Sequence, residues 1–139
     1  MPLTRTDFQQ LADIRAAEAA ALLAAGCWDG AYYLAGYAVE CALKACVAKT
    51  TVAEEFPDKD RAYQAYTHDL DKLFGLARLR DDRNATAKSD LKFSESWDKV
   101  KAWAEDARYE RWTEGQARGL LTAVVEPTYG VLQWIKSRW

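Results

Sequence analysis

The sequence predicts an all-α protein, and three observations carry that prediction. Apolar residues recur at intervals of three and four along most of the 139 residues. No segment of any length alternates with the period of two that a half-buried strand requires. The stretch from Gly26 to Lys44, GCWDGAYYLAGYAVECALK, is apolar nearly all round and rich in small residues, the composition of a helix in the middle of a bundle.

The first helix is expected over Asp7 to Ala25, dense in Ala and Leu. Thr6 followed by Gln9 resembles a capping box, and Gly26 is the breaker. Its face of Phe8, Leu11, Arg15, Glu18 and Leu22 sets two charges among apolar residues, where Arg15 and Glu18 can pair at i, i+3. The second helix is expected from about Gly30 to Lys49 with Asp29 as N-cap. Tyr33, Tyr37, Glu40 and Lys44 then share one face, Leu34, Ala38, Cys41 and Ala45 form the adjacent stripe, and Ala35, Gly36, Ala38 and Ala42 admit close neighbours.

Thr50 to Asp60 reads as a polar connection and Arg61 to Tyr66 as a short helix. Thr67 is placed to cap a segment burying Leu70, Leu73, Phe74 and Leu76. RDDRNATAKSD, from Arg80 to Asp90, has no apolar periodicity and reads as an exposed, mobile loop. Ser94 is then expected to cap a helix carrying Trp97, Val100, Ala104 and Ala107. A loop, DARYERWTEG, leads to a last helix from about Glu114 to Ser137, kinked where Pro127 removes a backbone donor.

The length suits one domain spanning 1–139 with one core. A formal net charge of −2 gives no overall steering toward nucleic acid, so RNA contact would need a local basic patch. The N-terminus lacks a signal-peptide pattern and no apolar run approaches the roughly 20 residues that span a bilayer, so the expectation is a cytoplasmic protein without a membrane. Cys27, Cys41 and Cys46 are odd in number and lack paired metal-ligand spacing; reduced thiols are expected, with no metal and no cofactor.

The chemistry centres on Glu40, a carboxylate in a predicted core that needs a partner or a raised pKa. Either it belongs to a structural network with Lys44 and an Arg or Tyr from another helix, or it marks a ligand or catalytic site. Arg108, in the DARY segment, can reach back toward Glu40 or Glu18 as a counter-ion, or grip a phosphate; Tyr109 and Tyr37 join the same candidate network. His68, the only histidine, sits at a helix start as a capping or hydrogen-bonded residue, or as a catalytic one. Most of the Trp and Tyr residues read as core or interface, with Trp112 and Trp139 the better candidates for exposed anchoring. The basic residues Arg78, Arg80, Arg83, Lys88 and Lys92 read as a solvated loop.

Three blocks carry a family resemblance: AAEAAALLAAGCWDGAYYLAGYAVECALKA (Ala16 to Ala45), THDLDKLFGLA (Thr67 to Ala77), and WAEDARYE (Trp103 to Glu110) with the apolar C-terminal helix after it. The chain resembles HEPN domains, helical bundles named for nucleotide binding in higher eukaryotes and prokaryotes. The resemblance implies an up-and-down bundle of four or five helices, a homodimer, and a neighbouring minimal nucleotidyltransferase in a toxin-antitoxin pair. Many members are ribonucleases using an Arg and, after a short spacer, a His near the start of the last long helix. There the His would move protons and the Arg would stabilise the phosphorane-like transition state. Here Arg108, Arg111 and Arg118 occupy that region with no His after them. Six residues separate Arg61 from His68, which satisfies the spacing but before a different helix.

Two readings of function follow. One is a non-catalytic or catalytically degenerate HEPN-like protein that dimerises and binds a nucleotide or a nucleotidyltransferase partner, with a cleft lacking a general base. The other is a metal-independent ribonuclease in which His68 and an Arg, Arg61 or Arg108, converge in space. A plain helical scaffold is the third and weakest.

Overall fold

The computed structural model describes residues 3–51 and 59–139, and among these every regular element is a helix. They are α1 (Arg5–Ala24), α2 (Trp28–Lys49), α3 (Lys59–Gln64), α4 (Leu70–Leu76), α5 (Arg80–Ser89), α6 (Leu91–Lys101), a 3-10 helix (Glu105–Tyr109), α7 (Glu114–Val125) and α8 (Val131–Lys136). The helical bundle is as the periodicity predicts, but it holds eight α-helices among the described residues, not four or five.

The capping box of α1 lies two residues before the expected one. Thr4 Oγ1 accepts from the Asp7 amide at 3.2 Å, and the Asp7 carboxylate accepts from the Thr4 amide at 2.8 Å. At the other end Gly26, with φ +80°, takes the left-handed conformation, and the Cys27 amide returns to the Leu22 carbonyl at 2.9 Å. That turn starts α2 at Trp28, so Asp29 lies inside the first turn; its carboxylate accepts from the Trp112 amide at 2.6 Å instead of capping.

α2 is the central element, packed on α1, α7, α4, α8 and the 3-10 helix. Its small residues perform the predicted task. A Cβ at Gly36 would fall 2.3 Å from the Trp103 indole, so the ring lies directly on the α2 backbone. The core includes the fully buried Val39, Leu43, Leu73, Phe74, Val100, Val124 and Ile135, each aliphatic or aromatic side chain contributing about 1.5–3 kcal/mol on burial.

The segment expected as a mobile loop from Arg80 to Asp90 is instead the helix Arg80–Ser89 with Asp90 as its C-cap. The periodic signal is missing because the one α5 side chain that enters the core is an arginine. Arg83 is 5% exposed, with its guanidinium 4.8 Å from the Phe74 ring centroid and 4.4 Å from that of Trp97, and it donates to Asp71 Oδ1 at 2.8 Å. Asp90 ends α5 and caps α6 by accepting from the Phe93 amide at 3.1 Å, so the helix starts ahead of Ser94.

Pro127 breaks the last helix instead of kinking it. The Glu126 carboxylate accepts from the Thr128 and Tyr129 amides at 2.7 and 2.6 Å, building a turn that re-enters helix at Gly130. Trp112 is not an exposed anchor: it stacks on Tyr32 at 3.6 Å and its Nε1 donates to the Ala107 carbonyl at 3.0 Å. Trp139 is partly buried, and its carbonyl accepts from Arg5 and Gln9. No helix of the described residues is long and apolar enough to cross a membrane.

Candidate functional site

Glu40 is 1% exposed, as the α2 pattern requires, and its partners come from its own helix and from the start of α4. Lys44 Nζ, one turn on, is 3.3 Å from Oε2. His68 Nδ1 lies 3.1 Å from Oε1 and 3.0 Å from Oε2. The local sequence explains why His68 is free to make this contact. Asp69, not Thr67, is the N-cap of α4 and accepts from the Lys72 amide at 3.1 Å, while Thr67 Oγ1 accepts from the Asp69 amide at 3.1 Å. Both flanking side chains are spent on the turn, and the imidazole between them reaches α2.

A carboxylate only accepts, so Nδ1 carries the proton shared with Glu40 and the imidazole is fixed in orientation. Nε2 then faces outward, and the His68 side chain is 42% exposed. It lines a cleft of about 730 Å³ between the start of α4 and the segment from Lys101 to Asp106, with Asp71, Lys101, Trp103, Glu105 and Asp106 also in the wall. Trp103 Nε1 is buried without a hydrogen-bond partner among the described residues.

Arg108 is not the counter-ion of Glu40. Glu40 is already satisfied by Lys44 and His68, while Arg108, on the exposed 3-10 helix, pairs with Glu105: its Nη1 is 3.5 Å from Oε1. That same oxygen is 3.6 Å from His68 Nε2. His68 and Arg108 therefore converge on one carboxylate oxygen. Glu105 has no counterpart among the sequence-based candidates; its spacing of i, i+3 from Arg108 was the available signal.

The remaining candidates divide. Tyr109 stacks under the Arg108 guanidinium at 4.8 Å, and a hydrogen bond between them raises the Arg108 pKa, with Glu105 adding to the effect. Tyr37 lines a groove together with Glu40 and Lys44; burial raises its phenol pKa, and Cys41 and Glu40 add. Tyr33, between the two, is also raised chiefly by burial, with Arg108 opposing. Glu18 is apart from the site, paired with Arg15 on α1 as the i, i+3 spacing predicts. The side chain of Arg61 and the connection at 52–58 lie outside the described residues.

The arrangement can hold an oriented imidazole for proton transfer, with a guanidinium nearby for an anion. Asp71 contributes less negative field to the cleft than its charge suggests, because Arg83 and Arg80 both bind it, at 2.8 and 3.3 Å. Among the described residues no group of three His, Cys, Asp or Glu is placed to hold a metal ion. The chain matches no protein-family model, no curated protein and no solved structure.

Proposed function

We propose that this chain is a HEPN-like helical protein that binds the phosphate of a nucleotide or of RNA in the cleft beside His68. The observation that carries the reading is the meeting of His68 Nε2 and Arg108 Nη1 on a single oxygen of Glu105. With His68 protonated on both ring nitrogens, an imidazolium and a guanidinium flank one anionic oxygen, a position that a phosphate oxygen takes when Glu105 turns aside.

Metal-independent ribonuclease action is the second reading, and the Glu40–His68 contact favours it over a cleft lacking a general base. His68 Nε2 would accept the proton of the 2′-hydroxyl as its oxygen attacks phosphorus. The bond from phosphorus to the 5′ oxygen breaks, and that oxygen leaves with a proton from solvent. Arg108 would balance the charge of the phosphorane-like transition state. Homodimerisation, a nucleotidyltransferase partner and a toxin-antitoxin setting rest on the family resemblance of the three sequence blocks alone.

The test is a titration of the purified protein with ADP, together with incubation of RNA in EDTA, for wild type, His68→Ala and Arg108→Ala, each checked for folding by circular dichroism. Binding or cleavage by the wild type that is weakened in both folded variants supports the reading. A wild type that neither binds ADP nor binds or cleaves RNA overturns it.

A further inference from the structure

A second groove, of about 880 Å³, adjoins the His68 cleft, and Thr67 lines both. Its wall carries Tyr63, Tyr66, Lys72 and Arg80 around Gly75. Tyr63 and Tyr66 are 81% and 79% exposed, whereas most of the large aromatics of this chain pack into or against the core. Neither belongs to the core cluster among the described residues.

Arg80 is held in place beside them. Its Nε and Nη2 donate to the Asp71 carboxylate at 3.3 Å and to the Asp71 carbonyl at 2.8 Å. A Cβ at position 75 would come within 2.7 Å of Nη2, so Gly75 leaves the space the guanidinium occupies. Nη1 has no protein acceptor among the described residues. Lys72 contributes a second cation, and among the described residues no carboxylate lines this groove, while each of the four other grooves described has at least one in its wall.

We propose that this groove binds single-stranded RNA, with bases stacked on Tyr63 and Tyr66 and backbone phosphates held by Lys72 and Arg80. Every base presents a π-face to a tyrosine ring, and a fixed guanidinium loses little freedom on meeting a phosphate. The charge of the wall favours a polyanion over an acid-free apolar peptide. The strand then continues past Thr67 into the cleft; that continuation rests on the function proposed above, while the groove itself does not.

Fluorescence anisotropy with a labelled single-stranded RNA, at low salt, tests it on wild type, the double variant Tyr63→Ala with Tyr66→Ala, Lys72→Glu, and Arg108→Ala. The tyrosines are exposed, so the double variant is expected to keep its fold, and Lys72→Glu provides an independent probe of the same groove. The expected result is a Kd at least about tenfold weaker for the double variant and for Lys72→Glu. ADP binding in the cleft should be unchanged in both.

RNA binding indifferent to the tyrosines and Lys72 but lost in Arg108→Ala overturns the groove and leaves the cleft standing. RNA binding lost in the groove variants but intact in Arg108→Ala supports the groove and counts against the cleft. A wild type that binds no RNA overturns the groove, and a change of oligomeric state in the double variant with RNA binding intact reassigns it as a protein contact.

Discussion

His68 Nδ1 stands 3.0 and 3.1 Å from the two oxygens of Glu40 across 28 positions of sequence, joining the start of α4 to the middle of α2. Glu40 is the buried member of that pair and also neutralises Lys44, so two side chains, His68 and Lys44, depend on one carboxylate. Replacing it with an isosteric neutral amide tests how much the arrangement stabilises. Glu40→Gln is expected to cost about 1–3 kcal/mol, below the cost of breaking a fully buried pair because His68 and Lys44 keep access to water. Urea unfolding followed by circular dichroism measures it; a midpoint within error of wild type would refute the dependence.

Arg83 presents a different balance, since both of its ring contacts and its ion pair with Asp71 are made by a side chain 5% exposed. Arg83→Ala removes a large packed group and its pairing, and is expected to destabilise by about 2–4 kcal/mol. Arg83→Met, which keeps most of the stem, should recover part of the loss. Thermal unfolding of the two variants decides whether packing or charge dominates.

The hydrogen bond from Arg83 holds the Asp71 carboxyl below its ordinary range, the charges of Arg80 and Arg83 adding while burial opposes. A carboxyl depressed by folding contributes stability that is present above its unfolded pKa and is lost as pH falls through the lowered folded value. Asp71→Asn should therefore be less stable than wild type near neutral pH and approach it in acid. The difference is small because the Asp71 side chain is 57% exposed. A gap between the two that stays constant from neutral pH into acid would contradict the assignment.

Gly36→Ala should be among the costliest small substitutions, because the added Cβ would lie 2.3 Å from Trp103 and the α2 backbone cannot retreat within the bundle. Overpacking of this kind costs about 1–3 kcal/mol. Trp103 also lines the His68 cleft, so the loss should be accompanied by a change in indole fluorescence. Unchanged stability and emission would show that the ring moves freely.

Burial pushes the Cys41 thiol up to about 12 and the Cys46 thiol up to about 11, and Cys27 is exposed. The native protein should react with Ellman's reagent at one thiol, Cys27, and the other two should react only after unfolding. Three fast-reacting thiols in the native state would place Cys41 and Cys46 in contact with solvent.

Much of the bundle was legible because α2 announces itself: small residues at 35, 36, 38 and 42 and a lone carboxylate at 40 imply a central helix with a buried charge. The Glu40 partner from α4 was not legible, because pairing over 28 positions depends on how the helices meet. Helix α5 was missed for a physical reason, since its core position is filled by a guanidinium stacked on rings, which an apolar periodicity cannot register. Pro127 was read as a kink because the Glu126 side chain that builds the break acts through backbone amides. Glu105 carried no signal beyond its spacing from Arg108.

The most direct test of the His68 site uses the fact that the chain has one histidine, so its ring resonances are assigned without further work. The protein, isotopically labelled at histidine, is titrated with ADP while the His68 ring signals are followed, in wild type and in Arg108→Ala. A saturable shift of the His68 signals, with a midpoint displaced to higher ADP concentration in Arg108→Ala, is the predicted result. Ring signals that do not move at saturating ADP, or an identical midpoint in the two proteins, would contradict a shared anion site at His68 and Arg108.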